Sequence, residues 1–174
     1  MTKSATRETA DIAGVVGRKN AIINGNFDIW QRATSQTVSQ YGSADRWRHS
    51  ISGSTQAVSR QAFTLGQTDV PNNPKYYSRT VVSSVAGAGS LIIMNQRIEG
   101  VRTFAGTTVT LSFWAKADAS KNIAIEFYQN FGTGGSPSTA VSGIGVTTVA
   151  LTTSWAKHTV SVAVPSIANE VLGT

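Results

Sequence analysis

Two histidines, nine carboxylates and no cysteine are all that this 174-residue chain offers to acid–base or nucleophilic chemistry. The missing cysteine excludes disulfides, thiolate metal sites and cysteine nucleophiles. His158 shares strand parity with Val160, Val162 and Val164, and His49 stands two residues after Trp47. Both are therefore expected as packed, hydrogen-bonded core histidines rather than catalytic ones. Glycan hydrolysis needs two carboxylates at a set separation. Asp28, Asp45, Asp69, Glu99, Asp118, Glu126 and Glu170 are scattered singly along the sequence. No nucleophile elbow, phosphate loop or His-Glu-x-x-His helix is present. The chain is not expected to be an enzyme or to need a cofactor, and polysaccharide hydrolysis is the weakest reading.

Binding chemistry is better represented. Trp114 and Tyr128 fall on the face of their strands that is otherwise polar, beside Lys116, Glu126 and Ser112. Aromatic planes can stack on the C–H faces of sugar rings, and the flanking groups can hydrogen-bond hydroxyls. Burial against a second sheet is the competing reading for both aromatics. Asn24, Asn26 and Asp28 could give hard oxygens to a Ca²⁺ ion. The same side chains also cap turns, which is the simpler reading, and no metal is expected. In Asp45-Arg46-Trp47, Trp47 is expected to pack while Asp45 and Arg46 brace the loop through charge-assisted hydrogen bonding.

These groups must be positioned by strands. Period-two alternation predicts strands at residues 27–31, 46–51, 56–63, 76–83, 91–99, 107–117, 122–129, 145–151 and 156–164. Turn signals separate them, among them Gly66-Gln, Pro71-Asn-Asn-Pro74, Gly87-Ala-Gly89 and Gly132-Thr-Gly-Gly135. Residues 107–129 are expected to form a hairpin turning at Asp118-Ala-Ser120. That register sets Phe113 opposite Ile125 and Leu111 opposite Phe127. Val109, Leu111, Phe113 and Ala115 with Ile123, Ile125 and Phe127 would then face the core. Many short strands without an amphipathic helix indicate an all-β sandwich or jelly roll.

The richest segment is Asn20-Ala-Ile-Ile-Asn-Gly-Asn-Phe-Asp-Ile-Trp-Gln-Arg32, followed by Ala44-Asp-Arg-Trp47. Asn24, Gly25, Phe27, Trp30, Asp45, Arg46 and Trp47 combine aromatic anchors with residues that tolerate positive φ. This combination resembles the opening of jelly-roll domains in bacteriophage tail fibre and other virion-attached proteins, which are similar to carbohydrate-binding modules. Thr110-Leu-Ser-Phe-Trp-Ala-Lys-Ala117, Tyr128 to Ser138, Thr152 to Val160 and Val164 to Ile167 resemble later parts of such domains, in the same order. The resemblance covers residues 20–174. It implies a jelly-roll β-sandwich, a virion location, a homotrimer, and contribution to host-surface recognition; a glycan-binding module proper is the alternative.

Composition agrees with that expectation. Charged residues make up 14% of the chain, against about 25% in ordinary soluble domains. The net charge of +6 comes from basic residues that do not cluster into a run, so nucleic acid is not an expected partner. An acidic host surface polysaccharide suits such a surface better. No signal peptide and no membrane-spanning run is visible. Residues 1–19 are small and plain, with Ile12, Val15 and Val16 as the large apolar side chains. They are expected to be an anchoring arm that docks on other phage tail or virion proteins or on its own trimer mates, with a plain terminal tail as the alternative. Residues 20–174 are expected to be the sandwich, as the N-terminal portion of a longer domain, because residues 164–174 read as a loop; closure of the sandwich by a neighbouring chain is the alternative.

Overall fold

The computed structural model describes residues 20–173; the expected arm, residues 1–19, lies outside them. Among the described residues there are nine strands and no helix. They are β1 (Ser35–Gln36), β2 (Trp47–Ser52), β3 (Ser54–Ala62), β4 (Tyr76–Val85), β5 (Leu91–Gln96), β6 (Thr108–Ala115), β7 (Lys121–Gln129), β8 (Val141–Leu151) and β9 (Ala156–Ala163). All strand pairs are antiparallel, and the architecture is that of an all-β protein consistent with a β-sandwich. Contacts divide the chain into two compact units, residues 20–62 with 76–97 and residues 63–75 with 98–173.

Each unit is built on a two-stranded ribbon bent at a corner. In the first unit, β2 and β3 form one arm and β4 and β5 the other. The register runs from Ala62↔Tyr76 to Ser54↔Val85, then resumes from Ser52↔Leu91 to Trp47↔Gln96. Gly53 sits at the corner with φ +61, and its carbonyl accepts from Ala86 N at 2.7 Å and Ser90 Oγ at 2.6 Å. A Cβ at Gly53 would stand 2.6 Å from that Ser90 oxygen. β1 adds a short third strand beside β3.

The second unit repeats the device. β6 pairs with β9 from Thr108↔Ala163 to Ala115↔Ala156, and β7 pairs with β8 from Lys121↔Leu151 to Gln129↔Val141. Ala117 N donates to Thr152 O at 2.8 Å across the corner. Ile144, Val149, Leu151, Val160 and Val162 form its buried core. Val109, Phe113, Ala115, Ile123, Ile125 and Phe127 pack against it. The face assigned to these residues from alternation is therefore the one they use.

The pairing assigned to them is not. The expected hairpin over residues 107–129 is replaced: Phe113 stands opposite His158, and Phe127 opposite Ile144. The physical reason lies in the turn chemistry. A tight hairpin favours positive φ in its loop, and no residue from Asp118 to Ser120 has it. That segment is the corner, where Lys121 Nζ meets Asp118 Oδ1 at 2.6 Å. The true loop is 130–140, with Gly132 at φ 102 and Gly135 at φ 72.

Two further expectations are corrected. Residues 27–31 form no strand, because Asn24 and Phe27 take φ 55 and 56, outside the β region. β8 starts at Val141 rather than at 145. Gly143 and Gly145, at φ 70 and 63, serve as bulges that keep the strand paired with β7. In the remaining loop the Pro71-Asn-Asn-Pro74 signal is a turn, with Asn72 and Asn73 at φ 64 and 50.

Candidate functional site

The segment richest in motif residues folds into one hydrogen-bonded junction. Asn24, in the left-handed region that asparagine tolerates, uses its whole amide. Its Oδ1 accepts from Ile29 N at 3.0 Å, and its Nδ2 donates to Ile29 O at 2.9 Å and Asp45 O at 3.0 Å. Trp47 Nε1 donates to Asn24 O at 3.1 Å. Trp30 Nε1 donates to the carbonyl of Phe27. The Phe27 ring lies 5.3 Å from that of Trp47 and 6.5 Å from that of Trp30. Asp45 accepts from Gln31 N at 3.0 Å and faces Arg32 at 4.0 Å. Arg46, at φ 72, reaches the carbonyl of Arg97 at 3.5 Å. Gln96 bonds both the N–H and the C=O of Ile23, at 2.7 and 2.8 Å. Trp47 is thus half-buried in a laced aromatic cluster. Asp45 braces the loop through Gln31 and Arg32, and Arg46 through Arg97.

Above this junction is an open hollow of about 260 Å³ lined by Asn20, Asn24, Gly25, Asn26, Asp28 and Ile29. Asn26 and Asp28 are exposed there. Asn20 Oδ1 accepts from Ile22 N at 3.0 Å. Of the three cation candidates, Asn24 is spent on backbone groups, which leaves Asn26 and Asp28 facing solvent. Among the described residues no group of three or more His, Asp or Glu side chains is arranged to hold a metal. What the hollow presents is an exposed carboxylate and exposed amide side chains.

The four expected platform residues are divided between the two leaves of the second unit. Trp114, half-buried, is on β6 opposite Lys157. Lys116 follows at the corner, its Nζ 5.4 Å from the centre of the Trp155 ring. Glu126 and Tyr128 are exposed on β7, Tyr128 at 57%. Alternation turns each pair away from the core face that Phe113 and Phe127 use. Because β6 and β7 do not pair, Trp114 and Tyr128 do not share a strand-to-strand surface. Glu126 and Tyr128 each stand opposite two residues of β8, at the Gly145 and Gly143 bulges. Bulges of this kind re-aim side chains.

The histidines differ from expectation in one respect. His49 is fully buried, but neither ring nitrogen has a hydrogen-bond partner. Burial pushes its pKa down to about 4. His158 packs on Phe113 with ring centres 5.5 Å apart, and its Nε2 is likewise unpartnered. Gln36, which no sequence pattern marks, is buried on the first unit. It bonds Val38 O, Gln40 O and Gly42 N at 2.9 to 3.0 Å. Asp118 is held below the usual carboxylate range by its hydrogen bond to Lys121 and by that ammonium's charge.

No family model, curated protein or solved structure matches this chain. No helix among the described residues is long and apolar enough to cross a membrane.

Proposed function

We propose that this chain is a structural protein of a bacteriophage virion, a tail fibre or fibre adaptor. In this reading residues 1–19 attach it to the particle. The β-units form part of a jelly-roll domain, assemble as a homotrimer and contribute to host-surface recognition. The observation that carries the reading is the junction of Asn24, Phe27, Trp30, Asp45 and Trp47. The residues that bear the resemblance to virion-attached jelly rolls are joined by hydrogen bonds and ring contacts into one cluster. The anchoring arm would precede that cluster directly, so the junction would pass force from particle to domain. A surface with few charges and many hydroxyls suits an external appendage.

A second reading is a glycan-binding module proper. The polar hollow at Asn20, Asn26 and Asp28 favours it, as does the exposed pair Glu126 and Tyr128 at the two bulges. Both readings allow contact with host polysaccharide, and they differ in whether particle attachment is the primary role.

Deletion of residues 1–19 separates the two. The shortened chain is expected to keep the circular dichroism of a folded β-protein and to be missing from particles assembled in competition with the full chain. Incorporation at the level of the full chain would contradict anchoring by the arm.

A further inference from the structure

The first unit ends on a strand with one side unpaired. β5 pairs with β2 over six residues without a bulge. Among the described residues, no backbone hydrogen bond reaches Leu91 to Asn95 from the other side. Leu91, Ile93 and Met94 are 42%, 40% and 43% exposed. From Thr80 through Gln96 the sequence carries no Lys, Arg, Asp, Glu or Pro. Soluble proteins blunt free edges with charge, proline or a bulge, and β5 has none of these. The far edge of β2 is treated differently. His49 N donates to Gln40 O at 3.1 Å and Ile51 N to Ser39 Oγ at 2.8 Å.

We propose that the free edge of β5 is a self-association surface, covered by a second copy of this chain. Two observations select a second copy over another partner. The chain has a net charge of +6, so copies that meet elsewhere bring like charges together. Along the charge-free stretch they meet without that cost, and a partner chosen by charge would find nothing there to recognise. The size also fits. A standard interface takes about 20–30 residues a side, the length of the Tyr76–Gln96 arm. That arm also exposes Val81, Val82 and Val85. Pairing of this edge, head to tail, with the outer edge of β4 in the next copy can close a ring of three; it would complete main-chain hydrogen bonds and bury these apolar side chains together. The proposal rests on the self-association contained in the proposed function and names its surface.

Sedimentation velocity on the full chain at roughly micromolar concentration tests it, with Ile93→Lys and Val146→Lys beside the wild type. Val146, 59% exposed on β8, is the control in the other unit. Wild type and Val146→Lys are expected to sediment as the same oligomer, and Ile93→Lys as a monomer. Amide hydrogen exchange on wild type supplies a readout that needs no variant. Those amides of Leu91 to Asn95 that point away from β2 should exchange about tenfold or more faster on dilution to monomer, while those bonded to β2 should not change. An Ile93→Lys oligomer like wild type, or exchange at 91–95 that ignores concentration, overturns this surface and leaves assembly by another face. A wild-type monomer overturns both the surface and the self-association on which it rests.

Discussion

The indole N–H of Trp47 donates to the carbonyl of Asn24 at 3.1 Å, joining two motifs that lie 23 residues apart. Asn24 in turn closes the loop onto Ile29 and Asp45 with three further bonds. Each such bond is worth about 1 kcal/mol net, and a left-handed backbone costs an ordinary side chain roughly 1–2 kcal/mol. Asn24→Ala should therefore destabilise the first unit by about 4 kcal/mol, three lost bonds plus the strain of an ordinary side chain at that φ. Asn24→Gly, which keeps the bonds broken but relieves the backbone, should lose about 1 kcal/mol less. Denaturant titration of both variants checks the order. Equal losses would mean that the φ of 55 carries no strain.

The second unit has its own close approach. Gly145 takes φ +63, and a Cβ there would stand 2.5 Å from Val162 Cγ1. Val162 is 2% exposed and cannot move aside freely. Gly145→Ala should cost about 2–4 kcal/mol, in the range of core overpacking added to backbone strain. Gly135→Ala shares the positive φ with nothing within 4 Å and should cost about 1 kcal/mol. In a Val162→Ala background the Gly145→Ala penalty should shrink, because neighbouring sites are not additive. An undiminished penalty in that background would put the strain in the backbone alone.

Much of the second unit was legible in the sequence, and its pairing was not. Alternation placed Val109, Phe113, Ile123 and Phe127 on the core face, because side-chain parity is local to each strand. Which strand lies alongside is set by turn geometry. Asp118-Ala-Ser120 has the composition of a turn and makes a corner, with the segment between β8 and β9 turning beside it at Thr152. The same locality explains residues 20–47. Asn-Gly and the aromatics marked a turn-rich anchor, but the left-handed Phe27 gave no sign in its residue type. The spacing of His49 marks it as core, whereas its missing hydrogen-bond partners depend on strands distant in sequence. Trp114 and Tyr128 would adjoin only across a β6–β7 pair, and β6 pairs with β9 and β7 with β8.

His49 makes stability depend on pH with a definite sign. Its folded pKa is about 4, against 6.5 for the free side chain. The unfolded chain therefore takes up the proton first. The stability is complete above about pH 6.5 and is lost as pH falls from there towards 4. The full shift corresponds to about 3 kcal/mol. His49→Gln should flatten this part of the stability curve relative to wild type. Parallel curves for the two proteins between pH 7 and 4 would show that His49 does not titrate with the fold.

The two aromatics of the outer faces should behave differently. Tyr128 is 57% exposed, and Tyr128→Ala should stay within about 0.5 kcal/mol of wild type. Trp114 is half-buried, and Trp114→Ala should cost about 2 kcal/mol, below the 3–5 kcal/mol of a fully buried indole. Thermal melts compare them. If Tyr128→Ala keeps its stability and loses binding to host polysaccharide, the glycan-module reading gains over the structural one.

Purified phage particles from a host that expresses this chain give the most direct test of a virion role. Quantitative peptide mass spectrometry should find the chain in density-banded particles at a fixed copy number, in a multiple of three. It should remain there after washing in high salt. A chain confined to the soluble lysate and missing from banded particles would contradict its assignment as a virion structural protein.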